Sequence, residues 1–86
     1  MKLSEVQSNQ IVKLDNLIML KLPNGEFDCA LPGSKLKSGK FPMADITVHP
    51  ASKSEMINAI ERAKHDNDWY SLLLKELMLK RLESIN

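Results

Sequence analysis

The spacing of apolar positions changes near residue 50. Before that point, short apolar runs are separated by turn-forming residues, a pattern typical of strands. From Ala51 onward there is neither glycine nor proline, and apolar residues recur every three or four positions, as in amphipathic helices. The pattern predicts one α+β domain spanning residues 1–86, in which residues 1–50 are mainly strand and loop and residues 51–86 are helical.

The clearest strand signal is a hairpin over residues 17–31. Two apolar-rich runs flank Pro23, Asn24 and Gly25, and Asn followed by Gly favours a two-residue turn. The register this turn implies separates apolar from charged positions, and a slip of one residue would move every side chain to the other face. The predicted facing pairs are Leu22 with Phe27, Leu20 with Cys29, Ile18 with Leu31 and, on the other side, Lys21 with Asp28.

Shorter elements flank this hairpin. Residues 11–14 are compatible with a strand, and residues 4–10 with a short helix, so the structure of residues 1–16 stays open. Residues 34–40 are expected to form an exposed loop and residues 46–49 a last short strand. Together these segments predict an antiparallel sheet of three or four strands, with the C-terminal helices covering one face.

Two helices are predicted after residue 50. Ser52 followed by Glu55 matches a capping box that opens the first helix. Residues 65–68 (His-Asp-Asn-Asp) favour a break, with a second helix restarting near Asp68, because these residues are poor helix formers and Asp and Asn are good N-caps. The alternative is one long helix over residues 52–86, since a 4-3 spacing of positions continues through the break.

The last helix carries more apolar surface than one sheet covers. By the 100° per residue rule, one broad stripe contains Tyr70, Leu73, Leu74, Leu77, Met78 and Leu82, while Leu72 and Leu79 form a second stripe. Two stripes favour a helix shared with another element or chain, and Trp and Tyr supply much of the binding energy at interfaces. With only four aromatic residues in the chain, however, the core is the favoured place for both Trp69 and Tyr70, and the interface is the alternative. The interface candidates are Trp69, Tyr70, Leu72, Leu79 and Leu82.

Composition narrows the class of protein. Eighty-six residues support one core, and a hydrophobic fraction of 43% argues against intrinsic disorder. The lone cysteine excludes an internal disulfide and favours a reducing compartment, so we expect a cytoplasmic protein. The longest apolar run, residues 17–20, is far shorter than the roughly 20 residues that span a bilayer. We therefore expect no membrane partner.

Positive charge is concentrated in one segment, although the formal net charge of the chain is only +1. Lys35, Lys37 and Lys40 lie in residues 33–41 with no acidic residue among them, and Phe41 follows. Such a cluster is able to contact a nucleic-acid backbone or another anion, with Phe41 stacking on a base. The alternative is a solvated loop whose lysines maintain solubility.

No catalytic, metal or cofactor site is recognisable. Five residues separate Gly33 from Gly39, where a P-loop has four between its glycines. Cys29 with His49 or His65 would be a nucleophile and base, but the hairpin register turns Cys29 inward beside Leu20. The two histidines lack the spacing of a helical zinc site, and Glu26 and Asp28 are expected on a solvent face.

The sequence therefore favours a non-enzymatic protein without cofactors. The first hypothesis is a protein-binding factor, regulatory, adaptor or assembly in nature, whose last helix contacts another protein or a second copy of the chain. The second hypothesis is a nucleic-acid-binding accessory protein that uses residues 33–41.

Overall fold

A computed structural model describes residues 1–41 and 45–85 and contains a five-stranded antiparallel sheet followed by two α-helices. The strand order is β4-β3-β2-β1-β5. The elements are a 3-10 helix Leu3–Glu5, strands β1 Ile11–Leu14, β2 Leu17–Lys21, β3 Phe27–Ala30, β4 Lys37–Gly39 and β5 His49–Pro50, and helices α1 Lys53–Arg62 and α2 Trp69–Glu83.

The predicted α+β class, with a small antiparallel sheet before two C-terminal helices, is confirmed. The sheet is larger than the expected three or four strands, because residues 37–39 of the expected loop pair with β3. The last strand is displaced from residues 46–49 to His49–Pro50, which pairs with β1. At the N-terminus the strand at residues 11–14 is confirmed, and the helical segment is a single 3-10 turn.

The β2–β3 hairpin has a three-residue loop, so the predicted two-residue turn is wrong. The amide of Gly25 donates to the carbonyl of Leu22 at 3.0 Å, and the amide of Leu22 donates to the carbonyl of Glu26 at 2.8 Å. Among the three loop residues only Gly25 has positive φ, at 89°. This is a type I turn closed by a glycine bulge, with Pro23 in the position that proline prefers.

The longer loop shifts the pairing by one residue and overturns the predicted register. The observed pairs are Ile18 with Ala30, Met19 with Cys29, Leu20 with Asp28 and Lys21 with Phe27. Side chains alternate between the faces of a strand, so Phe27 and Leu22 now lie on opposite faces. Asp28, expected on a solvent face, instead lies on the helix-covered face and is fully buried.

The face that carries the even-numbered residues of β2 packs against both helices. This helix-side core contains Ile18 and Leu20 from the sheet, Ile60 from α1 and Met78 from α2. Its other buried members are Ile11, Leu22, Ala30, Met56, Ala59, Leu74 and Leu82.

The opposite face of the sheet is also covered. This second core consists of Leu3, Val6, Val12, Met19, Phe27 and Val48, with Phe41 and Ile46 packed against it. The 3-10 helix is held there by hydrogen bonds, since the amide of Leu3 donates to the carbonyl of Ile46 at 2.9 Å. Lys21 lies on this face, with its ammonium 2.8 Å from the carbonyl of Val6 and 5.9 Å from the ring centroid of Phe27. The sheet is therefore a central layer.

Both predicted helix starts are confirmed. The hydroxyl of Ser52 accepts the amide of Glu55 at 3.1 Å, while the carboxylate of Glu55 contacts Lys13 at 3.4 Å. The chain leaves helical geometry at Ala63 and re-enters it after Asp68, so the alternative of one long helix is wrong. The break lets α1 and α2 both lie on the helix-side core.

Candidate protein interface on the last helix

The start of α2 is set by its N-cap. The carboxylate of Asp68 accepts the amide of Ser71 at 2.7 Å, which satisfies one of the unpaired donors at a helix start. Lys80 and Arg81 lie in the last turn, where positive charge complements the helix dipole. These local signals are sufficient to begin and end the helix. They do not determine which of its apolar residues face the sheet.

The rotation of α2 is fixed by a buried stripe and by one ion pair. Leu74, Met78 and Leu82 follow an i, i+4, i+8 spacing and are 8%, 0% and 1% exposed. Beside this stripe, one terminal nitrogen of Arg81 lies 2.8 and 3.0 Å from the two carboxylate oxygens of Asp28. The hydroxyl of Ser38 on β4 also donates to Asp28, at 2.7 Å. This arrangement ties α2 to β3 and β4.

The opposite side of α2 carries exposed apolar residues, with the exposed Glu76 and Lys80 among them, and lacks cover from the described part of the chain. Trp69, Leu73 and Leu77 form a second i, i+4, i+8 stripe, here named the outer stripe, which Tyr70 and Leu72 flank. The exposed fractions are 74% for Trp69, 61% for Tyr70, 53% for Leu72, 44% for Leu73 and 39% for Leu77. The rings of Trp69 and Tyr70 contact each other edge to face, with centroids 6.2 Å apart. Contiguous exposed apolar surface of this kind marks interaction sites.

The structure separates the five interface candidates into two groups. Trp69, Tyr70 and Leu72 lie on the exposed side of α2. Leu79 is partly buried against the helix-side core, and Leu82 belongs to that core, so neither is available to a partner in the way the sequence prediction required. Sequence reasoning placed Leu73 and Leu77 in the broad stripe and did not name them as interface candidates. The sequence signal that could have found them is that Trp69, Leu73 and Leu77 form an i, i+4, i+8 series of their own, apart from that of the buried stripe.

The cap also makes the stability depend on pH. Hydrogen bonds from the backbone and side chain of Ser71 lower the pKa of Asp68 from its ordinary value of 3.8. A carboxyl whose folded-state pKa is depressed stabilises the fold above its unfolded pKa, and this contribution disappears as pH falls through the folded pKa. We expect Asp68→Asn to have a lower free energy of unfolding than wild type at pH 7, and the two proteins to converge below pH 3.8. Urea titrations across this range would measure it, and parallel profiles would contradict it.

The basic segment, residues 33–41, lies beside the start of α2. The amide of Gly33 donates to the carbonyl of Arg62 at 3.0 Å, and the amide of Lys64 donates to the carbonyl of Ser34 at 2.9 Å. These bonds hold the segment against the turn between the two helices. As a result, Lys35 lies 2.6 Å from the carboxylate of Asp66. The positive charge of Lys35 is therefore balanced locally, and its pKa is raised chiefly by the hydrogen bond to Asp66.

The structure does not bring the four anion candidates into one cluster. Lys37 begins the edge strand β4 and Lys40 follows that strand, both exposed. Lysines on an edge strand discourage pairing with other chains. Phe41 packs partly buried against the second core, which restricts its use as a stacking platform. The nucleic-acid hypothesis stays a prediction, and its residues serve recognisable structural roles.

A small cavity separates the basic segment from α2. Its volume is about 170 Å³, and Lys35, Lys64, His65 and Tyr70 are among its lining residues. Ligand pockets commonly enclose roughly 300–1,000 Å³. A ring nitrogen of His65 lies 2.9 Å from the carbonyl of Ile60, so this side chain closes the end of α1. The cavity is better described as packing around the helix break than as a ligand site.

Cys29 is placed differently from the sequence prediction. It lies opposite Met19 rather than beside Leu20, and it is half-buried on the face of the second core. Burial, and secondarily the charge of Asp28, raise the pKa of its thiol to about 11. Since the thiolate is the nucleophile, this thiol is poorly reactive at neutral pH.

Within the described residues, 1–41 and 45–85, His, Cys, Asp and Glu side chains form no group of three or more able to hold a metal ion. Their helices are too short or too polar to cross a membrane. Comparison of the chain with known protein families, with curated proteins and with solved structures finds no match.

Proposed function

We propose that this chain is a small non-enzymatic protein-binding factor, regulatory, adaptor or assembly in nature, that acts in the cytoplasm through the outer side of α2. The observation that carries the proposal is the outer stripe, Trp69, Leu73 and Leu77, with its neighbours Tyr70 and Leu72 exposed beside it. Aromatic residues are enriched among the residues that dominate binding energy at interfaces. The free thiol of Cys29 supports a reducing compartment.

The position of this surface also supports the proposal. Helix α1 and the sheet cover the buried side of α2, and the ion pair of Arg81 with Asp28 fixes the rotation of α2. The outer stripe is therefore presented on a rigid element, which reduces the ordering cost of binding. Turning the stripe inward would expose Leu74, Met78 and Leu82 instead. A binding role accounts for the apolar residues at these outer positions.

Affinity capture from lysate of the source cell tests the proposal. Tagged wild type, Leu73→Glu and Asn58→Glu each serve as bait, and mass spectrometry compares the proteins that they capture. Untagged chain is added to the lysate, and each capture is made with and without nuclease. Asn58 is exposed on α1 and gives the same change of charge away from the outer stripe. We expect wild type and Asn58→Glu to retain the same nuclease-resistant partner, and Leu73→Glu to lose at least tenfold of it.

Two outcomes would contradict the proposal. If all three proteins retain the same partners, the outer stripe is not the binding surface. If capture depends on intact nucleic acid and is lost when Lys35, Lys37 and Lys40 are changed to Ala, the basic segment is the functional surface instead. Circular dichroism checks that Leu73→Glu remains folded, as expected for a substitution at an exposed helical position.

A further inference from the structure

We propose that the partner of the outer stripe is a second copy of this chain, bound with the two α2 helices antiparallel and Leu73 on the two-fold axis. This inference rests on the proposed function and names its partner. Trp69 and Leu77 lie four residues before and after Leu73, so the stripe is symmetric about that residue. A two-fold interface needs a surface that is complementary to itself. In the antiparallel arrangement Trp69 packs on Leu77 of the other copy.

The helix dipoles favour the same arrangement. Antiparallel pairing sets the positive start of one α2 beside the negative end of the other. Parallel pairing would instead align the two dipoles unfavourably and place Lys80 beside Lys80 of the other copy.

The exposed area is sufficient for a weak, specific dimer. Trp69 and Tyr70 together expose roughly 300 Å², since an aromatic side chain presents about 150–250 Å². With Leu72, Leu73 and Leu77, each copy offers roughly 500–600 Å², so a dimer that covered all five residues would bury at most roughly 1,100 Å² in total. That area exceeds most crystal-packing contacts and approaches the lower limit of about 1,200 Å² for specific complexes. We therefore expect dissociation in the micromolar range.

Cross-linking and mass measurement test the inference. In a Cys29→Ser background, Leu73→Cys places the only thiol of the chain on the two-fold axis, where facing Cα atoms of close-packed helices are near enough for a disulfide. Asn58→Cys is the matched control on α1. Under mild oxidation we expect Leu73→Cys to form a covalent dimer at least tenfold faster than the control. By sedimentation, wild type should approach twice its 9.7 kDa chain mass with rising concentration, and Leu73→Glu should stay monomeric.

The outcomes separate this inference from the proposed function. Wild type that stays at the monomer mass at millimolar concentration, or equal cross-linking of Leu73→Cys and Asn58→Cys, overturns the dimer. If a different protein is then captured and lost in Leu73→Glu, the proposed function stands without the dimer. A dimer that persists unchanged in Leu73→Glu also overturns the inference, because association would then use another surface, and the capture experiment decides the proposed function separately.

Discussion

Replacing Arg81 with Ala is expected to lower the free energy of unfolding by about 3–5 kcal/mol, because it leaves the carboxylate of Asp28 buried without its charged partner. Asp28 is fully buried and is bound by Arg81 and by the hydroxyl of Ser38. A loss of this size is a large fraction of the roughly 5–15 kcal/mol that stabilises a typical domain. Urea unfolding at pH 7 would measure it, and a variant that is already unfolded in buffer would agree with it.

Matched variants show whether the effect comes from the isolated charge. Adding Asp28→Ala to Arg81→Ala removes both charges, so we expect the double variant to be more stable than Arg81→Ala alone. The pair of half-buried Lys75 and exposed Glu61, 3.3 Å apart, is the control, and Lys75→Ala should cost at most about 1 kcal/mol. An Arg81→Ala variant that loses no more than Lys75→Ala would show that the pair does not hold α2 in place.

Local signals in the sequence predicted most of the fold. The strand at residues 11–14, the hairpin, both helix N-caps and the break before Asp68 are all present. Each of these features depends on residues close together in the chain, where turn chemistry and capping act directly. Strand β4 was expected to be a loop, and β5 was expected at residues 46–49, because the formation of both strands depends on distant partners. A strand of three residues has too few positions to show an alternation of apolar and polar residues in the sequence.

The register error came from one residue in the hairpin turn. Asn followed by Gly favours a two-residue turn, but Pro23 fits the first central position of a type I turn, and Gly25 then takes the positive φ. The registers set by a two-residue loop and by a three-residue loop both separate apolar from charged side chains. The hydrophobic pattern alone therefore does not choose between them. The consequence was large, because the wrong register placed Asp28 in solvent and left Arg81 without a partner.

The candidate site was predicted only in outline for the same reason. An apolar helix with two stripes indicates that one stripe is left over. Of the interface candidates, Trp69, Tyr70 and Leu72 are exposed, so the interpretation that placed both aromatic residues in the core is wrong. Which leucines join them depends on the rotation of α2, which the pairing of Arg81 with Asp28 sets through residues 53 positions apart. As a result, the interface candidate Leu82 lies in the helix-side core, and Leu73, which was not a candidate, is exposed.

The second core gives the last prediction, in which Phe27→Ala is expected to lower the free energy of unfolding by about 3–5 kcal/mol. Phe27 is 5% exposed and packs with Val12, Met19 and Val48, on the face of the sheet opposite α1 and α2. Removing the ring leaves a cavity that the 3-10 helix and the Val48 segment must close. Chemical denaturation gives the total effect.

Double-mutant cycles then determine which face of the sheet Phe27 occupies, using the milder Phe27→Leu so that every variant stays folded. Coupling with Met19→Ala is expected at about 0.5 kcal/mol or more, since residues packed together are not additive. Coupling with Met78→Ala, on the helix-side core, should be within about 0.5 kcal/mol of zero, because the sheet separates the two side chains. The register with a two-residue turn requires the reverse, with Phe27 coupled to Met78 and independent of Met19. The cycle therefore distinguishes the two hairpin registers by free energy alone, and with them the burial of Asp28.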